Sequence, residues 1–184
     1  MADHVDFEAL AAWWLGELPA GEAQKVEEHF FACAHCAARL EWLAALPEGV
    51  RAALRAGALG MVVSAPFVEA MKRAGLRLRE YRLDPGGRVD CTIAADDDAV
   101  VSRVRAPLAG VKRLDILEDI DEGRQRLELR DVPFDAVSGE VLFIVPPAAL
   151  KRMPAHVARM RLVAVDEAGR RTLGDYTFNH TPSG

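Results

Sequence analysis

Two imidazoles and two thiols crowd into eight residues of this chain, the string His29-Phe-Phe-Ala-Cys33-Ala-His35-Cys36. A histidine and a cysteine four apart on a helix project from one face, one turn apart. Cys36, just past such a helix, lies where the chain can fold back toward the same point. Thiolate sulfur with imidazole nitrogen is the donor set of tetrahedral zinc, here one ligand short. His4 is the only histidine upstream, and antiparallel packing of the first two helices would bring it beside Cys33. Water, Asp3 or Asp6 are the other sources of a fourth ligand. Four filled positions leave no metal-bound water to activate, so the expected site, His4, His29, Cys33 and Cys36, is structural and not hydrolytic. His35, between the cysteines, points away from the ligand face and reads as a surface residue.

The elements that must position these groups are short helices. Phe7, Leu10 and Trp14 recur at helical spacing over about residues 4–16, and Gly16 and Pro19 end that run. A second helix starts at Ala20 or Gly21 and passes through Val26, Phe30 and Cys33, with acids in its early turns as the helix dipole prefers. A third carries Cys36, Leu40 and Leu43 and is expected to stop before Pro47. Three such helices bury little apolar surface, so a domain of this size needs a staple such as a metal. A fourth helical stretch, about 48–58, places Val50, Ala53, Leu54 and Ala58 along one side, and Ser64-Ala-Pro66 caps a further short helix to about Ala74.

From Leu76 the hydrophobic period changes to two. Leu76, Leu78, Tyr81 and Leu83 lead into the turn Asp84-Pro-Gly-Gly87, and Val89, Cys91 and Ile93 alternate beyond it, which predicts a hairpin. Strand-like runs follow at 99–105, 111–118, 124–130, 140–145, 157–165 and 170–178, the last two bracketing Asp166-Glu-Ala-Gly169 as a second hairpin. The expected fold is therefore α+β: a small zinc-stapled helical domain over 1–60, a linker helix over 61–75, and an antiparallel β-sandwich or barrel over 76–184.

Charge is unevenly shared. Residues 1–46 carry eight acidic and two basic side chains, a net of −6, while the remainder, with 21 basic and 20 acidic, is near neutral. An acidic first domain disfavours nucleic acid, whose phosphates need clustered Lys and Arg, and suits a basic protein partner. No run approaches the roughly 18 consecutive apolar residues of a membrane span. The start, MADHVDFEAL, lacks the layout of a signal peptide, so no membrane partner is expected and the cytoplasm is the expected address.

The pattern His29-x3-Cys33-x2-Cys36 with an upstream histidine, together with the turn Trp14-Leu-Gly-Glu-Leu18, resembles the zinc-binding anti-sigma domain over about residues 3–46. The ChrR-type pattern, with histidine as first ligand, is the nearest form. The resemblance implies a stress-responsive transcription regulator that binds an extracytoplasmic-function sigma factor and holds it from RNA polymerase, a fourth helix packing between the sigma domains. Residues 48–58 are the candidate for that helix, with Val50, Leu54 and Leu59 as anchors. Trp13, Phe31 and Trp42 are large apolar residues that three short helices leave available to a partner.

The strand-rich half is the natural sensor of whatever releases such an inhibitor. ChrR-type proteins carry a histidine-rich cupin there. Beyond residue 46 this chain has only His156 and His180, with no His-x-His pair, which leaves a metal-free barrel or an immunoglobulin-like sandwich open. Cys91, in phase with Val89 and Ile93, reads as a buried small hydrophobe. His180 could line a pocket or end a strand, and Asp96-Asp-Asp98 reads as a solvated loop. With histidine in the first ligand position, a redox switch could pair only Cys33 with Cys36, which pins no second helix. An enzyme using Cys91 or His180 is the rival reading, but no nucleophile elbow, phosphate loop or HExxH motif supports it, so no catalysis is expected. A zinc-stapled adaptor for a different partner or small ligand is the third. The inducing signal, the identity of the sigma factor and the oligomeric state are not legible in the residues.

Overall fold

In a computed structural model, which describes residues 4–56, 60–121 and 125–181, the first helices start and stop where their end residues demand. Helix α1 (Phe7–Leu15) begins at Asp6, whose Oδ1 accepts the Ala9 N–H at 2.7 Å. It ends at Gly16, in the left-handed region at φ 78°, with the Gly16 N–H returned to the Trp13 carbonyl. Helix α2 (Ala20–Ala32) follows Pro19, and Cys33, in extended conformation, breaks it. These bounds match the spacing of the apolar residues.

Helix α3 (Ala34–Arg55) departs from expectation. It does not stop before Pro47, and the stretch from 48 is its continuation, not a fourth helix. Cys36, Leu43, Pro47, Val50 and Leu54 are buried and Leu40 half-buried, a stripe with alternating steps of three and four. An interior proline costs about 3 kcal/mol, yet its ring here occupies a buried position of the stripe. Burying each Leu or Val recovers about 1.5–3 kcal/mol, and breaking the helix at Pro47 would lose the register of Val50 and Leu54. Of the earlier expectations, Gly57, Ala58, Leu59, Asp3 and the first residue of the 124–130 run lie outside the described residues.

Two compact units make up the chain: Met1–Ala52 with Ala65–Leu76, and Ala53–Ser64 with Arg77–Gly184. The segment 61–75, expected as a linker helix, divides between them. Its first part is strand β1 (Met61–Val63), which pairs with a strand of the second unit. Its second part is helix α4 (Ala65–Arg73), which packs against α1 with Val68 and Met71 fully buried, while Arg73 donates to the Leu15 carbonyl at 3.2 Å.

The second unit holds two sheets. Strands β2 (Leu78–Leu83), β3 (Arg88–Cys91), β4 (Ala99–Arg105), β5 (Leu114–Ile120), β6 (Gln125–Leu129), β7 (Glu140–Val145), β8 (His156–Asp166) and β9 (Gly169–His180) join β1, with a short helix α5 (Pro147–Arg152) before β8. The sheet orders are β1-β7-β4-β2 and β3-β9-β8-β5-β6. Leu83, Val104 and Val141 of the first sheet and Ile116, Met160, Leu162 and Tyr176 of the second share one hydrophobic core. The class is α+β as expected, but the sheets are mixed and not wholly antiparallel, since β2 runs parallel to β4 and β3 parallel to β9.

That parallel pairing corrects the first hairpin. The turn at Asp84–Gly87 is real, with the Gly87 N–H on the Asp84 carbonyl at 2.8 Å, but the chain crosses there from one sheet to the other. The Gly86 N–H and Gly87 carbonyl are engaged by β9, at Asp175 and Thr177, so β3 is drawn away from β2. The second hairpin forms as expected, β8 and β9 pairing from His156↔His180 to Asp166↔Gly169. The Asp96–Asp98 loop is not simply solvated. Asp98 is buried, accepting from Arg55 and the Arg77 N–H, and Asp97 binds Arg79 and the Ala94 N–H.

Tyr176 is the largest fully buried side chain, and its hydroxyl donates to the Arg105 carbonyl of the opposite sheet. Burial, followed by the charges of Asp175 and Asp84, pushes the phenol up to about 12, so it remains a donor at any physiological pH. A Cβ at Gly174 would collide with the same ring, which explains the glycine inside β9. Tyr176→Phe strands the Arg105 carbonyl and should destabilise the strand-rich unit by about 1–3 kcal/mol. Urea unfolding of the full chain measures this, and an unchanged transition midpoint would contradict it.

Candidate metal centre

Three helix boundaries bring the four sequence-predicted ligands together. His4 precedes α1 and is held by its surroundings: Asp6 caps the helix, and Arg39 of α3 donates to the Val5 carbonyl at 3.2 Å. His29 lies in the last turn of α2. Cys33 is the break itself, not a residue of the helix as the spacing suggested, and its N–H closes α2 on the His29 carbonyl at 3.0 Å. Cys36 stands in the first turn of α3, held there by the Ala37 N–H on the Cys33 carbonyl at 3.0 Å.

The ligand atoms of His4, His29, Cys33 and Cys36 all lie within 4.8 Å of one another. His4 Nδ1 is 3.3 Å from Cys33 Sγ and 3.9 Å from Cys36 Sγ. Zinc bonds of about 2.0–2.3 Å set tetrahedral ligand atoms roughly 3.3–3.8 Å apart, so the cluster has the dimensions of a zinc site. Among the described residues His29 Nε2 is buried with no hydrogen bond of normal geometry, which an N–H or lone pair tolerates poorly unless something fills the space. Both thiols are buried and unpaired by any disulfide. A zinc ion satisfies all four groups. Asp6, weighed as a fourth ligand, is occupied as the α1 cap. His35 is exposed as expected, with its ring 4.5 Å from that of His4.

The electrostatics suit a cation. The Cys36 backbone N–H, with His4, Cys36 and His29 side chains adding to it, holds the Cys33 thiol down at about 6 against the opposing effect of burial. Thiolate is the form that binds metal.

The proposed partner residues do not share one environment. Trp13 is half-buried, edge-on to Phe30 at 5.1 Å, its Nε1 donating to Glu27 at 3.1 Å. Phe31 is 94% exposed and Trp42 61%. Val50 and Leu54 are buried. Phe7, which helical spacing grouped with Leu10 and Trp14, is exposed and sits against Trp42, ring centroids 6.1 Å apart, with the Arg39 guanidinium over the Phe7 ring, 5.4 Å from its centroid. Only the approach of α1 to α3 brings residues 7, 39 and 42 together, so local spacing carried no signal for the group.

Residues 7–37 match a family model described as "Putative zinc-finger", the domain found in anti-sigma factors. The match takes in His29, Cys33 and Cys36, and His4 lies just before it. No curated protein matches the sequence. Among solved structures, the N-terminal domain of phage TP901-1 ORF48 aligns at 12% identity over 59% of this chain and 100% of that one, with a TM-score of 0.37. Likeness that slight bears on neither fold nor function.

A depressed Cys33 value has a definite sign. The thiolate stabilises the metal-free fold fully above the ordinary thiol range near 9, and the contribution is lost as pH falls through about 6. Ultraviolet thiolate absorbance of the metal-free protein should follow that course, zinc should dissociate in the same direction, and a titration centred at the ordinary thiol value would contradict it. One zinc per chain is expected at this cluster. Its removal by chelator should cost helical circular dichroism, as should Cys36→Ala, and a helical signal indifferent to both would refute a structural role.

Proposed function

We propose, from the match of residues 7–37 to a putative zinc-finger family found in anti-sigma factors, that this chain is an anti-sigma regulator. In this reading it binds an extracytoplasmic-function sigma factor in the cytoplasm through its helical unit, and catalyses nothing. The observation that carries the reading is the four-ligand cluster within 4.8 Å. A tetrahedron completed by protein leaves the metal no position for substrate, so its chemistry is to tie the helices.

A fold tied by an ion can leave large apolar groups outside its core. Phe31 and Trp42, with Phe7 beside Trp42, are such groups. They are the aromatic anchors of the proposed contact, with the net charge of −6 over residues 1–46 complementing a basic partner. Trp13 supports Phe30 from within the unit. Val50 and Leu54 are buried in the free chain and take no part in this contact. The strand-rich unit is the reader of the releasing signal in this reading. No helix among the described residues is long and apolar enough to cross a membrane.

The test is gel filtration and calorimetry of the reduced, zinc-loaded chain with the sigma factor encoded beside it. A one-to-one complex is expected. Trp42→Asp and Phe31→Asp should each weaken it roughly 10- to 100-fold, the range of a lost hot spot of about 2 kcal/mol, with zinc content unchanged. Absence of a complex, or affinity indifferent to both substitutions, would reject the proposal.

A further inference from the structure

One carboxyl of the strand-rich unit stands on the apolar side of its strand. Along β5, Ile116, Glu118 and Ile120 alternate onto the same face, with Ile116 inside the hydrophobic core and Ile120 packed against it. Register pairs Glu118 with Leu127 of β6 on one side and Met160 of β8 on the other, and Met160 in turn with Tyr176 of β9. Register partners on neighbouring strands project from the same face. Glu118 is thus the one carboxyl in a row with Leu127, Met160 and Tyr176. The two sheets do not close over this end of the row. β1 and β6 are edge strands of their sheets, and Met61 on β1 and Leu127 and Leu129 on β6 are exposed, Leu127 by half. Between these edges runs a groove of about 200 Å³, walled by Met61, Val62 and Phe143 of the first sheet and by Ile116, Leu127 and Leu129 of the second. Among the described residues that line it, Glu118 is the only one with a polar side chain.

Among the described residues no hydrogen bond or ion pair reaches the Glu118 carboxyl. Burial pushes it above the ordinary carboxylate range, against a smaller pull from His156. A carboxylate held among apolar side chains is costly until a partner meets it. Asp115, three residues earlier on the same strand, shows what a matched carboxylate looks like here, with Arg113, Arg170 and the Asp131 N–H around it. The chain supplies no such cation to Glu118. A metal ion needs several ligands, and the groove offers one carboxyl. An ammonium group needs only one. The volume sets the size of what carries it: ligand pockets of about 300–1,000 Å³ take drug-sized molecules, so a groove of about 200 Å³ takes a single ring or a short branched chain.

We propose that this groove binds a small apolar primary amine, its ammonium on the Glu118 carboxylate and its hydrocarbon body against Val62, Phe143, Leu127 and Leu129. A hydrogen bond between two ionised groups is roughly twice as strong as a neutral one, and apolar walls that exclude water strengthen it further. The body of the ligand covers the side chains that the free chain leaves exposed at this edge. A molecule seated there touches β1 and β6 together and so bridges the two sheets where they are open. The site lies wholly within the strand-rich unit, and it does not depend on what the helical unit binds.

Titration of the full-length, reduced, zinc-loaded chain with benzylamine, followed by amide resonances and calorimetry, tests this. Saturable one-to-one binding is expected, with shifted amides clustered on β1, β5 and β6. No saturable binding, or shifts clustered elsewhere, overturns the proposal. Benzyl alcohol has the same size without the charge and should bind wild type roughly 10-fold more weakly or worse. Equal affinity for the two overturns the assignment to an amine. Glu118→Gln keeps the shape of the side chain and removes its charge, so it should weaken benzylamine binding roughly 10-fold or more. Benzylamine affinity unchanged by that substitution overturns the role of Glu118. The same substitution should raise the urea midpoint of the ligand-free chain, because it takes an unpartnered charge out of an apolar row. A lowered midpoint means that the carboxylate already has a partner, and it overturns the proposal without any ligand.

Discussion

Convergence of His4, His29, Cys33 and Cys36 is the constraint from which the helical unit follows. The shared core of α1, α2 and α3 is small: Leu10, Val26 and Leu43 are buried, with Val5, Trp13, Trp14, Leu18 and Phe30 partly covered around them. Apolar burial of that extent barely offsets the entropy of ordering three helices. One ion bound by residues before α1, at the end of α2, at the α2–α3 break and in the first turn of α3 sets the mutual positions of all three. Tight turns follow from it. Cys33 must leave helical conformation for its sulfur and that of Cys36 to reach the same point, and the break between α2 and α3 stands there and nowhere else.

A metal-tied fold also frees its aromatic residues. In a domain held by its core alone, Phe31 and Trp42 would be the first side chains expected inside. Here they are outside, and the apolar surface they expose is available for recognition. The four ligands with Leu10, Val26 and Leu43 hold the unit, while its acids and the aromatic rings of Phe31 and Trp42 lie outside that core.

The strand-rich unit rests on different physics. Its two sheets share an apolar core, and polar groups that enter that core are matched individually. Tyr176 answers the Arg105 carbonyl, and Asp115, fully buried, is met by Arg113, Arg170 and the Asp131 N–H. Burial would raise the Asp115 carboxyl, yet the Asp131 N–H and the two guanidiniums leave it below the usual range. Against that background His180 stands out, since among the described residues its ring nitrogens enter the core without a hydrogen bond of normal geometry, with the His156 ring 4.9 Å away.

Local pattern determined much of this protein. The ligand string, the end of α1 at Gly16, the start of α2 after Pro19, the positions of β4, β7, β8 and β9, and the β8–β9 hairpin are all legible, because caps, four-residue spacing and period-two alternation act between near neighbours. Even His4 could be chosen from the chain, as the only upstream imidazole able to complete a tetrahedron. Tertiary structure decided the rest. Pro47 ends a helix by local rules, but a buried stripe running from Cys36 to Leu54 outweighs one missing hydrogen bond. Asp84–Gly87 signals a hairpin, but β9 offers β3 a parallel partner in the other sheet. Phe7 meets Trp42, and His156 meets His180, only after distant segments pair. Such contacts depend on free energy summed over many residues far apart in the chain, and no short window of sequence contains that sum.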